Sequence, residues 1–293
     1  ETLSKNYDIE SFKFKSVINK MTIYNHQTPL DLAYKYNKNK AKELLRQYGG
    51  KANKYDKKGV QVEEGDGDLI ELLDEAKDPD QLLKTYEIVF PNGIPLIYAC
   101  EKNRLKDVKI LVDKYGGNGT LKQQLTMEGK DSKYDLLQDY TPLEMAIKKK
   151  HLDIVQYLVN KSFELIQYTD KYGKNSLHIA ALYSDDDKIL NFLLETLATK
   201  YDIESFKFKS IINKIVVDKT PLDIAYKYKK DKAKELLRQY GGKAYMYSAD
   251  GNLLEIYRNN LIESWKKHYP SGTPLVLACE FNRLDYVCTL TQG

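Results

Sequence analysis

The chain has 293 residues and a mass of 33.9 kDa, and its 42% hydrophobic content is enough to bury a core, which argues against disorder or a coiled coil as the main state. Its 46 basic and 42 acidic side chains give a formal net charge of only +4 at pH 7. Just five of the basic residues are arginine, the residue preferred for reading phosphates and bases, so the composition gives no support to nucleic-acid binding.

Cysteine content and hydropathy indicate the compartment. Three cysteines are few for a disulfide framework, and an odd number cannot all pair with one another, which favours a reducing environment. No apolar run approaches the roughly 18 residues that a membrane span needs. The sequence therefore predicts a soluble, cytoplasmic protein without a membrane span.

The first segment of the chain is ambiguous. In Ile9–Ile18, Phe12 and Phe14 alternate with lysines as in a strand, whereas Ile9, Phe12 and Val17 could line one face of a helix. The pattern leaves both structures open.

From residue 28 onward, six segments open with Thr-Pro-Leu-x-x-Ala or a near variant, and a second apolar stripe follows each opening. Threonine is a good N-cap, proline is favoured at the first helical position, and leucine and alanine then recur on one face, so each segment predicts a pair of helices. Glycine pairs at 49–50, 116–117 and 241–242 are placed to end the second helices. The helix pairs open near residues 28, 94, 141, 175, 220 and 273.

Irregular helical inserts are predicted near residues 66–88 and 250–268. Asp66–Ala76 is patterned like a second helix that lacks its first. Asp78 and Pro79 then provide an N-cap and a proline at the first helical position for a short helix through Tyr86.

A tandem duplication organises the whole chain. Residues 1–20 recur at 195–214 with 16 identities, and residues 28–52 recur at 220–244 with 22 identities. Residues 1–194 and 195–293 are therefore interpreted as one full and one partial copy within a single continuous array over residues 1–293. Glu1 aligns with Glu195 near the end of a predicted helix, which leads us to expect further repeats on both sides.

The helix pairs resemble ankyrin repeats. The segment TPLEMAIKKKHLDIVQYLVNKS at 141–162 is similar to the family pattern Thr-Pro-Leu-His-x-Ala-Ala followed by Gly-His-x-x-Ile-Val-x-x-Leu-Leu, with Glu144 in place of the first His and Lys150 in place of the Gly. The next repeat keeps His178 but has Asn175-Ser176 instead of Thr-Pro. The resemblance implies an all-α, ankyrin-like α-solenoid of stacked helix pairs with long connecting loops.

No pattern in the sequence indicates catalysis, a cofactor or a metal, so the chain is predicted not to be an enzyme. The spacing supports no Ser-His-Asp, Cys-His or metal-ligand cluster, and the acidic run at 63–68 lacks the register of an EF-hand loop. His151 and His178 fall at positions where the resemblance implies hydrogen bonds to neighbouring turns. Cys100 and Cys279 occupy one site in two copies, where a small buried hydrophobe is expected.

If the ankyrin register holds, the two residues that end each first helix face the concave side and form a candidate protein-binding surface. Four of the six pairs end in an aromatic residue, and aromatics beside lysines are typical interface anchors, although the chain has 24 tyrosines and compositional drift would give the same pattern. The pairs are Lys35-Tyr36, Glu101-Lys102, Lys148-Lys149, Leu182-Tyr183, Lys227-Tyr228 and Glu280-Phe281.

Two functions follow from this organisation. One is a non-catalytic scaffold that binds other proteins, including neighbouring repeats or copies of itself, as a segment of a longer tandem-repeat protein. The other is a structural or elastic rod element of a giant cytoskeletal-type protein, because a near-perfect duplication lengthens a rod more readily than it diversifies a binding site. The two differ in whether single substitutions on the concave face matter.

Overall fold

The computed structural model describes residues 11–22, 27–62, 67–90, 94–117, 121–130, 139–183, 188–248, 251, 252 and 254. The regular secondary structure in these ranges is almost entirely helical, which confirms the predicted all-α class. The chain divides into two compact units, Glu1–Ala146 and Ile147–Gly293, and a single continuous array stays a prediction. None of the helices in the described ranges combines the length and the apolar character that crossing a bilayer requires.

The first unit contains paired helices with one irregular segment. Its described helices are Phe12–Ile18 (α1), Pro29–Lys35 (α2), Asn39–Gln47 (α3), Pro79–Val89 (α4), Pro95–Glu101 (α5), Leu105–Gly117 (α6) and Leu121–Thr126 (α7), with a 3₁₀ helix at Asp68–Leu73. A short antiparallel pair, Gly129–Lys130 (β1) and Asp139–Tyr140 (β2), places Gly129 opposite Tyr140. Helix α2 packs against α3, and α5 packs against α6.

The second unit repeats this arrangement. Pro142–Lys148 (α8) crosses the boundary between the units, and the described helices that follow are Leu152–Lys161 (α9), Ser176–Tyr183 (α10), Lys188–Lys200 (α11), Phe206–Ile212 (α12), Pro221–Lys227 (α13) and Asp231–Gln239 (α14), with a 3₁₀ helix at Phe163–Ile166. Helix α10 packs against α11 and α13, α13 packs against α14, and α11 contacts both α9 and α14. Neighbouring helix pairs therefore stack on one another.

Threonine and proline start the first helices as the sequence predicts. Thr28 and Thr220 have extended backbones, and each hydroxyl accepts a hydrogen bond from the backbone N–H three residues later, 3.2 Å away in both copies. The aspartate at that third position accepts a hydrogen bond from the threonine N–H in return, which completes a capping box. Ile94, at the start of α5, makes no side-chain capping bond.

In four helix pairs a left-handed residue turns the chain from the first helix into the second. Asn37, Asn103, Lys150 and Lys229 have φ values of 51°, 55°, 64° and 53°. After Asn37, Asn103 and Lys229, the next residue donates its N–H to a carbonyl of the first helix, as Lys230 does to Ala225 at 2.9 Å. Glycine adopts this conformation without steric cost, whereas lysine crowds its Cβ against the backbone.

Glycine ends the second helix at two of the three predicted sites. Gly49 and Gly241 follow α3 and α14 with φ values of 77° and 79°. The prediction for the third site is wrong, because Gly116 and Gly117 form the last turn of α6 instead of ending the helix before it.

The ambiguous N-terminal segment contains a helix over the described residues 12–18. Ser11 caps α1 through a 3.2 Å hydrogen bond from the Phe14 N–H, and Phe14 is buried. Asn19, just after α1, accepts the Lys51 N–H at 2.6 Å, and the equivalent Asn213 accepts the Lys243 N–H at the same distance. The duplicated sequence therefore forms the same contacts in both copies.

The irregular segment differs from the predicted helix over Asp66–Ala76. Six residues, Asp68–Leu73, form a 3₁₀ helix, and Asp68 anchors it by accepting the Ala52 N–H at 2.6 Å and pairing with Arg46. Helix α4 follows with the predicted Asp78 cap and continues to Val89. In the second insert, near residues 250–268, only 251, 252 and 254 lie within the described ranges.

Lys229 provides a test of the left-handed turn. Replacing Lys229 with Gly removes the crowded Cβ, so we expect the free energy of unfolding to rise by about 0.5–1 kcal/mol, the gain being reduced by glycine's greater freedom in the unfolded chain. Lys229→Ala keeps the Cβ and is expected to give no gain. Denaturant titration measures both variants, and equal effects of glycine and alanine would show that the turn is unstrained.

Candidate protein-interaction surface

The ends of the first helices carry the predicted surface residues. Lys35 and Lys227 are exposed, and Tyr36 and Tyr228 are 61% and 48% exposed. Glu101 is 5% exposed, so it offers little surface to a partner. The half-buried members are Lys102, Lys148, Lys149, Leu182 and Tyr183, and Glu280 and Phe281 lie outside the described residues.

Lysine side chains lie over three of these tyrosine rings. The Lys35 Nζ is 5.5 Å from the centroid of the Tyr36 ring, and Lys227 is 5.4 Å from that of Tyr228. In the second unit, Lys148 lies 5.7 Å from the ring centroid of Tyr183 in the next helix pair. At exposed sites such a cation–π contact is worth about 0.5–1 kcal/mol, enough to orient the rings without burying them.

Several of the predicted surface residues in the second unit are lysines. Lys148, Lys149 and Lys227 belong to the predicted set. Lys219 lies close enough to Lys227 for electrostatic repulsion between the two ammonium groups. Burial, with a further contribution from Lys227, lowers the pKa of Lys219. The arrangement can attract acidic groups and stack against apolar or planar ones.

Two exposed residues on neighbouring turns of the second unit are absent from the sequence prediction. Tyr172 is 44% exposed, with Lys171 and Lys174 each 5.2 Å from its ring centroid, in a turn that Asp170 and the left-handed Gly173 close. Val217 is 79% exposed and has a φ of 46° in the adjacent turn. The Asp-x-x-Gly spacing signals the first turn, but nothing in the sequence predicts a left-handed valine.

The third residue of a first helix is a buried hydrogen-bonding side chain in four helix pairs. Asp31 accepts the N–H groups of Asn53 and Lys54 at 3.0 and 2.8 Å, and Asp223 accepts those of Tyr245 and Met246. Glu144 accepts the Thr141 N–H at 2.8 Å. His178 fills this position in α10 and is 1% exposed.

His178 connects α10 to the segment that follows α12. Its Nε2 is 3.0 Å from the carbonyl oxygen of Lys214, and its Nδ1 is 2.6 Å from the Oδ1 of Asn175. Burial lowers its pKa to about 4, although the nearby carbonyl groups favour the protonated ring. The predicted hydrogen bond of this residue to a neighbouring turn is therefore present.

The described residues form no reactive cluster. Cys100 is fully buried, as expected for a small hydrophobe, and burial raises the pKa of its thiol. Within the described ranges no three His, Cys, Asp or Glu side chains are placed to hold a metal ion. Cys279 lies outside those ranges.

Comparison with known proteins agrees with this geometry. Residues 114–207 match the family model of ankyrin repeats in three copies. Residues 114–207 carry ankyrin repeats. No curated protein matches it.

Ankyrin repeats generally mediate protein–protein interaction and are typically non-catalytic. In this chain the helix-pair geometry extends beyond the matched range, because α13 and α14 pack as α2 and α3 do. The same helix-pair packing therefore occurs both before and after the matched residues along the chain.

The buried imidazole of His178 predicts a pH dependence. Because its folded pKa of about 4 lies below its ordinary value, protonation favours unfolding: its contribution is fully present above about pH 6.5 and is lost as pH falls towards 4. We expect up to about 3 kcal/mol of pH-dependent stability from this residue. Denaturant titrations between pH 4 and 6.5 should show that the free energy of unfolding depends less steeply on pH in His178→Gln than in the original chain. The same pH dependence in both proteins would show that His178 does not cause the effect.

Proposed function

We propose that this chain is a non-catalytic ankyrin-repeat scaffold that binds another protein, within a longer tandem-repeat protein of the cytoplasm. The observation that carries the proposal is the equivalence of Tyr36 and Tyr228. Both copies of the duplication place an exposed tyrosine at the end of a first helix with a lysine over its ring. Exposed aromatics of this kind are the residues on which interfaces most depend.

The charge of the surface indicates the chemistry of the partner. In the second unit Lys148 lies over the Tyr183 ring and Lys227 over the Tyr228 ring, and in the first unit Lys35 lies over the Tyr36 ring. We therefore propose a partner segment that combines carboxylates with apolar or aromatic side chains, since the carboxylates complement the lysines and the apolar groups pack on the rings.

The structural rod is a second candidate, and the duplication supports it. Asn19 and Asn213 make the same 2.6 Å hydrogen bond to the segment after the next helix pair, so the array is extended by copying its internal contacts. A rod depends on these internal contacts, and its function is insensitive to surface tyrosines.

Site-specific photocrosslinking tests the scaffold function. A photoreactive phenylalanine at position 36 or 228 is expected to capture the same acidic protein, whereas positions 43 and 235 on the exposed side of the second helices serve as matched controls. Tyr228→Ala should then weaken binding of that protein about tenfold or more, because removal of a central aromatic anchor costs over 1 kcal/mol.

Glu235→Ala is the control for the affinity measurement and should leave binding unchanged. Equal capture at positions 43 and 235, or an unchanged affinity for Tyr228→Ala, would contradict the proposed surface and favour the rod.

A further inference from the structure

Helix α12 begins with a phenylalanine that its own molecule leaves in water. Phe206 is 89% exposed, and Ile203, three residues earlier, is 43% exposed. Phe208, two residues later, is fully buried, so the helix is held in place without the Phe206 side chain. Two large apolar side chains that the fold leaves exposed within four residues mark this segment as a contact surface.

The duplicated copy shows what a phenylalanine at this position packs against. Ser11–Asn19 and Ser205–Asn213 differ at only one of nine residues, and a serine caps both helices through the same 3.2 Å hydrogen bond. Phe12, the counterpart of Phe206, is half-buried in a cleft between α1, α4 and the end of the first 3₁₀ helix. A wall of the kind that lines this cleft therefore suits the Phe206 ring.

The cleft has room for more than the Phe12 ring. Its volume is about 950 Å³, and the wall around Phe12 contains Leu72, Thr85 and Ile88. Leu72 and Thr85 are 5% and 2% exposed, so the core behind them fixes the wall. Sites that bind ligands of drug size have volumes of roughly 300–1,000 Å³, so a second phenylalanine and an isoleucine fit into this cleft.

The carboxylates at the rim of the cleft are already engaged by the molecule itself. Glu75 pairs with a lysine of α1 at 2.7 Å, and Asp78 caps α4 by accepting a backbone N–H at 2.8 Å. The hydrogen bond from Lys114 lowers the pKa of Asp80, with a smaller contribution from the charge of Lys84. These groups therefore repel an acidic segment less than their number suggests.

The rim and the start of α12 carry complementary charges. Lys77 and Lys84 are exposed at the rim. In residues 202–207, which we call the α12 tip, Asp202 and Glu204 are exposed and Lys207 is the opposing charge, so the tip is acidic. Glu204 pairs with a lysine of its own helix at 2.6 Å, but such an exposed pair contributes little in water and can exchange its partner.

We propose that the α12 tip of one molecule inserts into this cleft of a second copy of the chain. Phe206 packs beside Phe12 on the wall, and the carboxylates of the tip face the lysines of the rim. The tip belongs to the second unit and the cleft to the first, so the contact is heterologous and continues from molecule to molecule. This self-association goes beyond the scaffold function and does not depend on it.

Analytical ultracentrifugation over a range of concentrations tests the contact. Because the contact is small, we expect the average mass to rise above the 33.9 kDa of one chain between about 10 µM and about 1 mM. Phe206→Ser should keep the mass of a single chain throughout. Val217→Ser is the matched control, since it removes another side chain that is 79% exposed in the same unit, and it should associate like the original chain.

Three results of this experiment would overturn the proposal. The first is an original chain that stays monomeric over the whole range, and the second is equal association of Phe206→Ser and Val217→Ser. The third is a lower thermal midpoint of dilute Phe206→Ser, because it would show that the ring is covered within its own molecule. We expect this midpoint to be unchanged.

Mixing two defective variants tests the pairing of tip and cleft. The double variant Lys77→Glu, Lys84→Glu keeps the tip and reverses the charge of the rim, whereas Phe206→Ser keeps the cleft and removes the ring. Each alone should associate about tenfold more weakly than the original chain or less. An equimolar mixture should form species of twice the chain mass and no larger ones, because one intact tip meets one intact cleft.

A mixture that associates no better than its components would contradict the pairing. Neither variant changes Tyr36 or Tyr228, so this inference and the scaffold function can fail separately.

Discussion

The buried hydrogen-bonding side chain at the third position of the first helix is the contact on which four of the described helix pairs depend. Asp223 accepts hydrogen bonds from its own capping threonine and from the backbone of Tyr245 and Met246, beyond the second helix. Leaving a buried donor unsatisfied costs about 1–3 kcal/mol, so this carboxylate fixes both the start of the helix and the path of the chain after the pair. Asp31 makes the equivalent contacts in the first copy.

This constraint also positions the candidate surface. The capping threonine, Thr28 or Thr220, fixes the position of the short first helix. Seven residues after it the chain reaches Lys35-Tyr36 or Lys227-Tyr228. A left-handed residue then reverses the chain at once, so the final two residues of the first helix project at the turn. The exposed tyrosines therefore result from the same geometry that buries the aspartates, and the interaction surface is supported by the core.

Much of this fold is predictable because its signals are local. Thr-Pro pairs, the alanines that are buried at the helix contacts, and Gly49 and Gly241 each specify a backbone conformation through their own chemistry. The sequence is less informative where tertiary contacts determine the local backbone structure. The 3₁₀ helix at Asp68–Leu73 depends on the distant N–H of Ala52 and on Arg46, which no periodicity reveals.

The candidate surface is only partly predictable for the same reason. The register correctly marks Tyr36 and Tyr228 as accessible, but it treats Glu101 as equivalent although this residue is buried. Exposure also depends on neighbours that sequence similarity does not report. Ala233 and Leu237 of α14 are buried, whereas the equivalent Ala41 of α3 is exposed and Leu45 is half-buried, although the two helices differ only at their first residue. Val217 shows a further limit, since a β-branched residue with positive φ is a conformation that propensity argues against.

The most direct test of the buried acceptor is hydrogen exchange in Asp223→Ala. If this carboxylate connects the helix pair to the following chain, the amides of Tyr245 and Met246 lose protection, and the free energy of unfolding falls by about 2–4 kcal/mol. Thr220→Ala removes the cap hydroxyl, which also donates to the Lys243 carbonyl at 2.8 Å, but it keeps the carboxylate that accepts the Tyr245 and Met246 N–H groups. This variant should cost about 1–2 kcal/mol and leave those two amides protected. Protected amides in Asp223→Ala, with a loss no greater than that of Thr220→Ala, would contradict the account.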